Sequence, residues 1–284
     1  MATFYNQATL SYNGNTTTSN ITTGELVEVL SATKTAVQTE YQQDDTLTYV
    51  VNILNSGNTT MTGVTISDNL GAYTLNALTL VPMDYVVGTV RYYVGGVLQP
   101  TPTVTAGPPL TISGLSVPAK GNVTVIYQAK TNDYAPLAQE SSITNTATIN
   151  ANNIANPITA SATVNAYGEP VLRISKSLTP TTVSENGQLT YTFIIQNYGN
   201  NTADETDALI VSDRFDPILN PITVAFNGTA WTEGTEYTYD ATTGQFVSTA
   251  GAITVPAASY TQDSAPGAIS IVPGSATLTI TGTV

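Results

Sequence analysis

The 284-residue chain has no cysteine and no histidine, and it sets only seven lysines and arginines against 20 aspartates and glutamates. Without cysteine there is no disulfide, no thiolate nucleophile and no Cys-ligated metal. Without histidine the commonest general base and metal ligand is missing as well. Conventional catalysis is left with few players, so the chain reads as no enzyme, with no cofactor and no metal. A formal net charge of −13 offers no Lys/Arg footprint for a phosphate backbone or an anionic bilayer, which argues against nucleic acid and membrane as partners. No apolar run approaches the length of a membrane helix, and no basic start followed by an apolar stretch marks a signal peptide. The expectation is synthesis without a leader and release by another route, such as lysis of the producing cell.

Charged residues make up only 10% of the chain, and Thr, Asn, Ser, Gly and Val dominate, a balance that favours strands and turns over helices. Alternating runs such as L47-T-Y-V-V-N-I53, V123-T-V-I-Y127, L189-T-Y-T-F-I-I195, L209-I-V211 and A276-T-L-T-I280 are bounded by Gly, Asn, Pro or Asp. They predict short strands at regular intervals. The fold class is all-β: two tandem immunoglobulin-like sandwiches.

The chain repeats itself out of phase. Lys34, L47-T-Y49, N55-S-G-N58 and S67-D68 recur as Lys176, L189-T-Y191, N197-Y-G-N200 and S212-D213. The first copy continues to T144-N-T-A-T-I149, whereas the second stops at Val284. A version of the missing strand, Tyr5, Asn6, Gln7, Ala8, Thr9 and Leu10, stands at the amino terminus instead. This divides the chain into a donor-strand segment (1–29), a first domain (30–167) and a second, incomplete domain (168–284). N55-S-G-N58 and N197-Y-G-N200 read as hairpin-type turns in which Gly or Asn takes a positive φ.

The order Lys, LTY, N-x-G-N, S-D and N-x-A-T resembles a bacterial surface-repeat family of unknown function from Gram-positive surface proteins. Two repeats, an acidic Cys-free composition and the apparent lack of a leader further resemble the ribbon-forming spore-appendage proteins of clostridia. That resemblance implies an extracellular structural subunit on a spore or cell surface, freed by mother-cell lysis, whose partner is another copy of itself or other appendage or spore-surface proteins.

Similarity to immunoglobulin-like pilin domains, in which a Lys, an acid and an Asn form a spontaneous amide, points to Lys34, Asp68 and Asn145. Burial lowers the Lys pKa so that a neutral amine can attack, while the acid polarises the Asn carbonyl and shuttles protons. The bland alternative is a solvated edge Lys, a turn Asp and a strand-capping Asn. In the second domain Lys176 and Asp213 have no downstream Asn-x-Ala-Thr, and Asn6 is the candidate partner, either from the next subunit, which gives a head-to-tail polymer, or folded back from the same chain, which gives a closed monomer. An open sheet edge is a template for strand addition, and a contact that does not close propagates into a fibre.

The competing reading is a monomeric adhesin that binds glycan or protein through loops or through Tyr92, Tyr93, Tyr237 and Tyr239. A hydrolase acting through paired carboxylates finds no pair singled out among the acids. Asp204, Glu205 and Asp207 lack the ligand spacing of a Ca²⁺ loop.

Overall fold

The computed structural model describes residues 2–26, 29–152, 154 and 156–284. Met1, Val27 and Glu28 of the 1–29 segment, and Asn153 and Ala155 of the first domain, lie outside the described residues. The architecture is all-β, a hairpin followed by two sandwiches.

The hairpin runs out through β1 (Ala2–Asn6) and β2 (Thr9–Tyr12) and back through β3 (Asn15–Thr18) and β4 (Thr22–Leu26). Asn13 and Gly14, both at positive φ, turn it tightly, the backbone that Asn-Gly adopts most readily. Asn6 pairs with Thr22 and Thr9 with Thr18, so the return arm carries one extra residue between the two ladders. Phe4, Tyr5, Leu10, Tyr12 and Ile21 are exposed.

The first sandwich begins with β5 (Leu30–Ala36), β6 (Glu40–Tyr41), β7 (Thr46–Asn55) and β8 (Met61–Asp68). A small hairpin of β9 (Tyr73–Leu75) and β10 (Leu78–Leu80) follows, then β11 (Met83–Tyr85), β12 (Arg91–Val94), β13 (Val97–Leu98) and β14 (Thr103–Thr105). β15 (Leu110–Val117), β16 (Asn122–Thr131), β17 (Ser142–Asn150) and β18 (Ile158–Ala166) complete it. One sheet has the order β13-β12-β16-β7-β5 and the other β14-β15-β8-β17-β18-β6. Period-two alternation turns Leu47, Tyr49, Val51 and Ile53 of β7 inward against Ile143, Ala147 and Ile149 of β17, all buried. Removing these side chains from water is the main driving force for closing the two sheets.

The second unit comprises β19 (Leu172–Thr179), β20 (Gln188–Asn197), β21 (Ser212–Arg214), β22 (Ile222–Phe226) and β23 (Thr229–Ala230). β24 (Tyr237–Asp240), β25 (Gln245–Ser248), β26 (Ser259–Gln262), β27 (Ile269–Val272) and β28 (Gly274–Thr283) follow. Its first sheet, β19-β20-β28-β22-β23, repeats β5-β7-β16-β12-β13 strand for strand. Its second sheet is only β21-β25-β24, the counterpart of β8-β15-β14. Among the described residues nothing stands where β17 and β18 stand in the first sandwich.

Two local expectations are corrected. Leu209–Val211 alternates like a strand, yet the ladder covers Ser212–Arg214 and Ile210 is exposed. β8 is held by β15 and β17, whereas β21 has β25 alone, so pairing on one side organises a shorter strand. At N55-S-G-N58 and N197-Y-G-N200 no residue takes a positive φ. The leading Asn organises each turn: buried Asn55 donates to the carbonyls of Thr59, Val117 and Pro118 and accepts from Gly57 N–H. Asn197 likewise donates to Asn201 and accepts from Gly199 and Val171. Glycine is needed at 199 because a Cβ would lie 2.2 Å from the Glu169 carbonyl oxygen.

The units meet through the β26–β27 hairpin, whose Tyr260 and Ile271 pack against the first core. Ile269 N–H donates to Asp133 and Gln262 to the Tyr73 hydroxyl.

Candidate cross-linking sites

Each candidate site begins with a lysine on the outer strand of one sheet, aimed across the sandwich. Lys34 on β5 pairs with Val51 of β7, and Asp68 ends β8 in the opposite sheet. Asn145 lies on β17, two residues before Ala147, which faces Asp68 across the ladder. Strand alternation turns Asn145 and Ala147 to the same inward face. All three polar residues are buried.

Their contacts form one chain. Lys34 Nζ donates to Asp68 Oδ2 at 2.5 Å, and neither side chain has solvent access. Tyr127 on β16 donates its hydroxyl to the same oxygen at 2.6 Å and accepts from Asn145 Nδ2 at 3.1 Å. The Leu70 amide donates to Asp68 Oδ1 at 3.0 Å, and the Gly71 amide to the Asn145 carbonyl oxygen at 3.2 Å. Gly71 sits at positive φ, and a Cβ there would meet Ile143 at 2.5 Å, so only glycine brings its N–H to that carbonyl.

Desolvation lowers the Lys34 pKa from its ordinary 10.5 to about 8, against the opposing pull of the Asp68 charge and hydrogen bond. Its ammonium also lies 4.8 Å from the Tyr49 ring centroid, a cation–π contact. Burial, then the Asp68 charge, push the Tyr49 and Tyr127 hydroxyls well above their usual range. Both tyrosines stay neutral, leaving Tyr127 able to donate and accept at once.

The second site is the same arrangement left open. Lys176 on β19 pairs with Asp213 on β21 and lies over the rings of Tyr191, Phe193 and Phe215. Its side chain is 40% exposed and that of Asp213 19%. A groove of about 390 Å³ lies beside them, lined by Ile174, Ser175, Phe193, Ile210, Val211 and Ser212. Asn6 is elsewhere: its carbonyl accepts from the Thr22 hydroxyl within the exposed hairpin. Gln7 and Ala8 bond Ser19, and Thr9 and Leu10 pair with Thr18 and Thr17. Tyr5 pairs with Thr23.

The structure thus brings Lys34, Asp68 and Asn145 together, and Lys176 with Asp213, but does not bring Asn6 to Lys176 within one chain. Tyr127 and Gly71 were missed because neither belongs to the repeated motif. The signal was there in principle: Tyr127 is the inward residue of its strand directly across from Tyr49. Of the four tyrosines, Tyr92 and Tyr237 are core residues, and Tyr93 and Tyr239 are half-buried. Asp204 and Asp207 cap a short 3₁₀ turn.

No protein-family model matches the chain, and no curated protein sequence does. Among solved structures it is similar to the pilus backbone protein RrgB of Streptococcus pneumoniae, at 13% identity over 86% of this chain and 55% of that one, with a TM-score of 0.36. It is similar to the major pilin BcpA of Bacillus cereus, at 12% identity over 96% and 73% of the two chains, TM-score 0.38. It is also similar to the collagen-binding domain of a Staphylococcus aureus adhesin, at 14% identity over 50% and 99%, TM-score 0.31. The chain spans little more than half the length of the RrgB structure. These overlaps are partial and say nothing about function.

Proposed function

We propose that the chain is a structural subunit that assembles head-to-tail into an extracellular filament, each second sandwich being completed by the N-terminal segment of the next copy. One observation carries the reading. The sheet that ends at β18 and β6 in the first sandwich ends at β21 in the second. An unpaired strand edge beside a groove is a site for an added strand, and residues 4–12 form the exposed outgoing arm of the hairpin, with Phe4, Tyr5, Leu10 and Tyr12 open to solvent. A head-to-tail contact of this kind repeats without closing. A spore or cell surface as the location rests on the sequence resemblance.

Lys34 and Lys176 reinforce the filament with amide bonds, self-modification being the only chemistry. In the first sandwich the Lys34 ammonium passes a proton to Asp68 along their short hydrogen bond, giving a neutral amine. Its nitrogen attacks Cγ of Asn145, and the Gly71 N–H stabilises the charge developing on the carbonyl oxygen. Asp68 passes that proton to Nδ2, the Cγ–Nδ2 bond breaks and ammonia leaves, and the Asp68 carboxylate takes the second proton from the new amide nitrogen. One C–N bond replaces another, with no oxidant or cofactor. Between subunits Lys176, Asp213 and Asn6 of the neighbour take the same course.

Electron microscopy of the purified chain, beside a chain lacking residues 2–26, tests the assembly. Filaments from the full chain and none from the truncated one are expected; filaments from both would remove the donor segment from the account.

A further inference from the structure

The first sandwich shows what must fill the gap in the second, and it is more than one strand. β17 and β18 form a hairpin, in which Asn145 pairs with Ala162. In the N-terminal hairpin Asn6 pairs with Thr22. The two hairpins have nearly the same size, with 17 residues from Asn145 to Ala162 and 16 from Asn6 to Thr22. They stand at nearly the same distance from the next lysine, since Ala162 precedes Lys176 by 14 residues and Thr22 precedes Lys34 by 12. Each hairpin leads into the lysine strand of the next sandwich, β19 in one case and β5 in the other.

Resting on the head-to-tail assembly proposed for this chain, we infer that the donated element is the whole two-stranded hairpin, seated in one register with Ala8 opposite Asp213, Thr9 opposite Ser212 and Leu10 opposite Val211. The register is that of the first sandwich, where Ala147 pairs with Asp68, Thr148 with Ser67 and Ile149 with Ile66. It sets Asn6 to Lys176 and Asp213 as Asn145 is set to Lys34 and Asp68. It also explains the alternation of the segment. Phe4, Asn6, Ala8 and Leu10 take the inward places of Ile143, Asn145, Ala147 and Ile149, which are all buried. On the return arm Thr22 and Gly24 take the places of Ala162 and Val164, also buried. Gly24 lies across from Phe4, with no room for a Cβ beneath that ring. The small residue lets the aromatic lie flat on its partner arm, so that the hairpin enters as one thin layer. A slip by one residue would turn this face outward, and the buried Asn6 would leave the site.

A chain without cysteine makes the register directly readable. Thr9→Cys chains are assembled with Ser212→Cys chains under mild oxidation, beside a register-shifted pair of Ser11→Cys with Ser212→Cys. A disulfide between chains is expected for the first pair in preference to the second. Filaments in which the shifted pair links instead would overturn the register while leaving the assembly standing; absence of filaments from the unsubstituted chain would overturn both. The second arm is tested by one charge on each face. Thr22→Glu, directed inward, is expected to abolish filaments, and Thr23→Glu, directed outward, to leave them. Filaments undisturbed by Thr22→Glu would show that the return arm stays outside the sandwich.

Discussion

Tyr127 and Ile280 occupy the same place in the two sandwiches, each directly across the ladder from the tyrosine of a Leu-Thr-Tyr repeat, Tyr49 in one case and Tyr191 in the other. The hydroxyl that links Asp68 to Asn145 in the first site therefore has no counterpart in the second, where ring packing from Phe193 and Phe215 surrounds the lysine. The turn after the acid differs too, with Gly71 replaced by Asp216. On the proposed assembly, Asn6 of a neighbouring copy would enter a site that lacks both of these groups.

The Tyr127 hydroxyl ties Asp68 to Asn145. Tyr127→Phe keeps the ring and removes the bridge, so the domain is expected to fold and to form its amide more slowly, by about 100-fold, the low end of what a positioned proton-transfer group contributes. Intact mass followed over time after refolding checks this. An unchanged rate would leave Tyr127 as a core residue only.

In the folded first domain the mass is expected to fall short of the sequence by one ammonia, and Lys34→Ala, Asn145→Ala and Asp68→Ala each to restore it. Lys34→Ala also strands the Asp68 carboxylate in the core. It is expected to destabilise the domain by about 3–5 kcal/mol beyond loss of the amide, measured by chemical denaturation against Asn145→Ala.

The pH dependence of an uncross-linked domain is set by Lys34. In Asn145→Ala the folded state binds the Lys34 proton less tightly than the unfolded chain, because burial lowers its pKa to about 8 from 10.5. Where the unfolded chain holds the extra proton, stability rises with pH. Unfolding free energy is therefore expected to climb from about pH 8 towards 10. It should turn down above that, where the raised Tyr49 and Tyr127 resist ionisation that the unfolded chain undergoes. A flat profile between pH 8 and 10 would show that Lys34 is not desolvated.

Asn55→Ala removes the donor for three carbonyls and the acceptor for Gly57 N–H at a buried turn. A loss of roughly 3 kcal/mol is expected from the unsatisfied buried groups, seen as a lower denaturation midpoint with the β-sheet circular dichroism retained.

Much of this was legible in the residues, for reasons particular to each. Lys34, Asp68 and Asn145 could be named because a repeat displays spaced polar residues inside otherwise apolar alternation. The N-terminal version of the Asn-x-Ala-Thr strand was visible as a phase offset between the copies. Its hairpin partner was not, because Asn15–Leu26 is rich in Thr and polar residues and shows little apolar alternation of its own. The N-x-G-N turns were misread since Asn and Gly suggest left-handed backbone, whereas here Asn55 and Asn197 act through side chains reaching backbone groups beyond their own turn. Tyr127 escaped notice because its role depends on the opposite sheet, which periodicity within one strand does not reveal.

The most direct test of subunit-to-subunit joining uses two variants that are each blocked at one end. Asn6→Ala keeps the acceptor lysine and Lys176→Ala keeps the donor asparagine, so neither alone should give species that survive boiling in detergent. Refolded together, they are expected to give covalent dimers, each short by the ammonia of the new bond, and no longer ladder. Absence of dimers from the mixture, or ladders from either variant alone, would contradict a Lys176–Asn6 bond between copies.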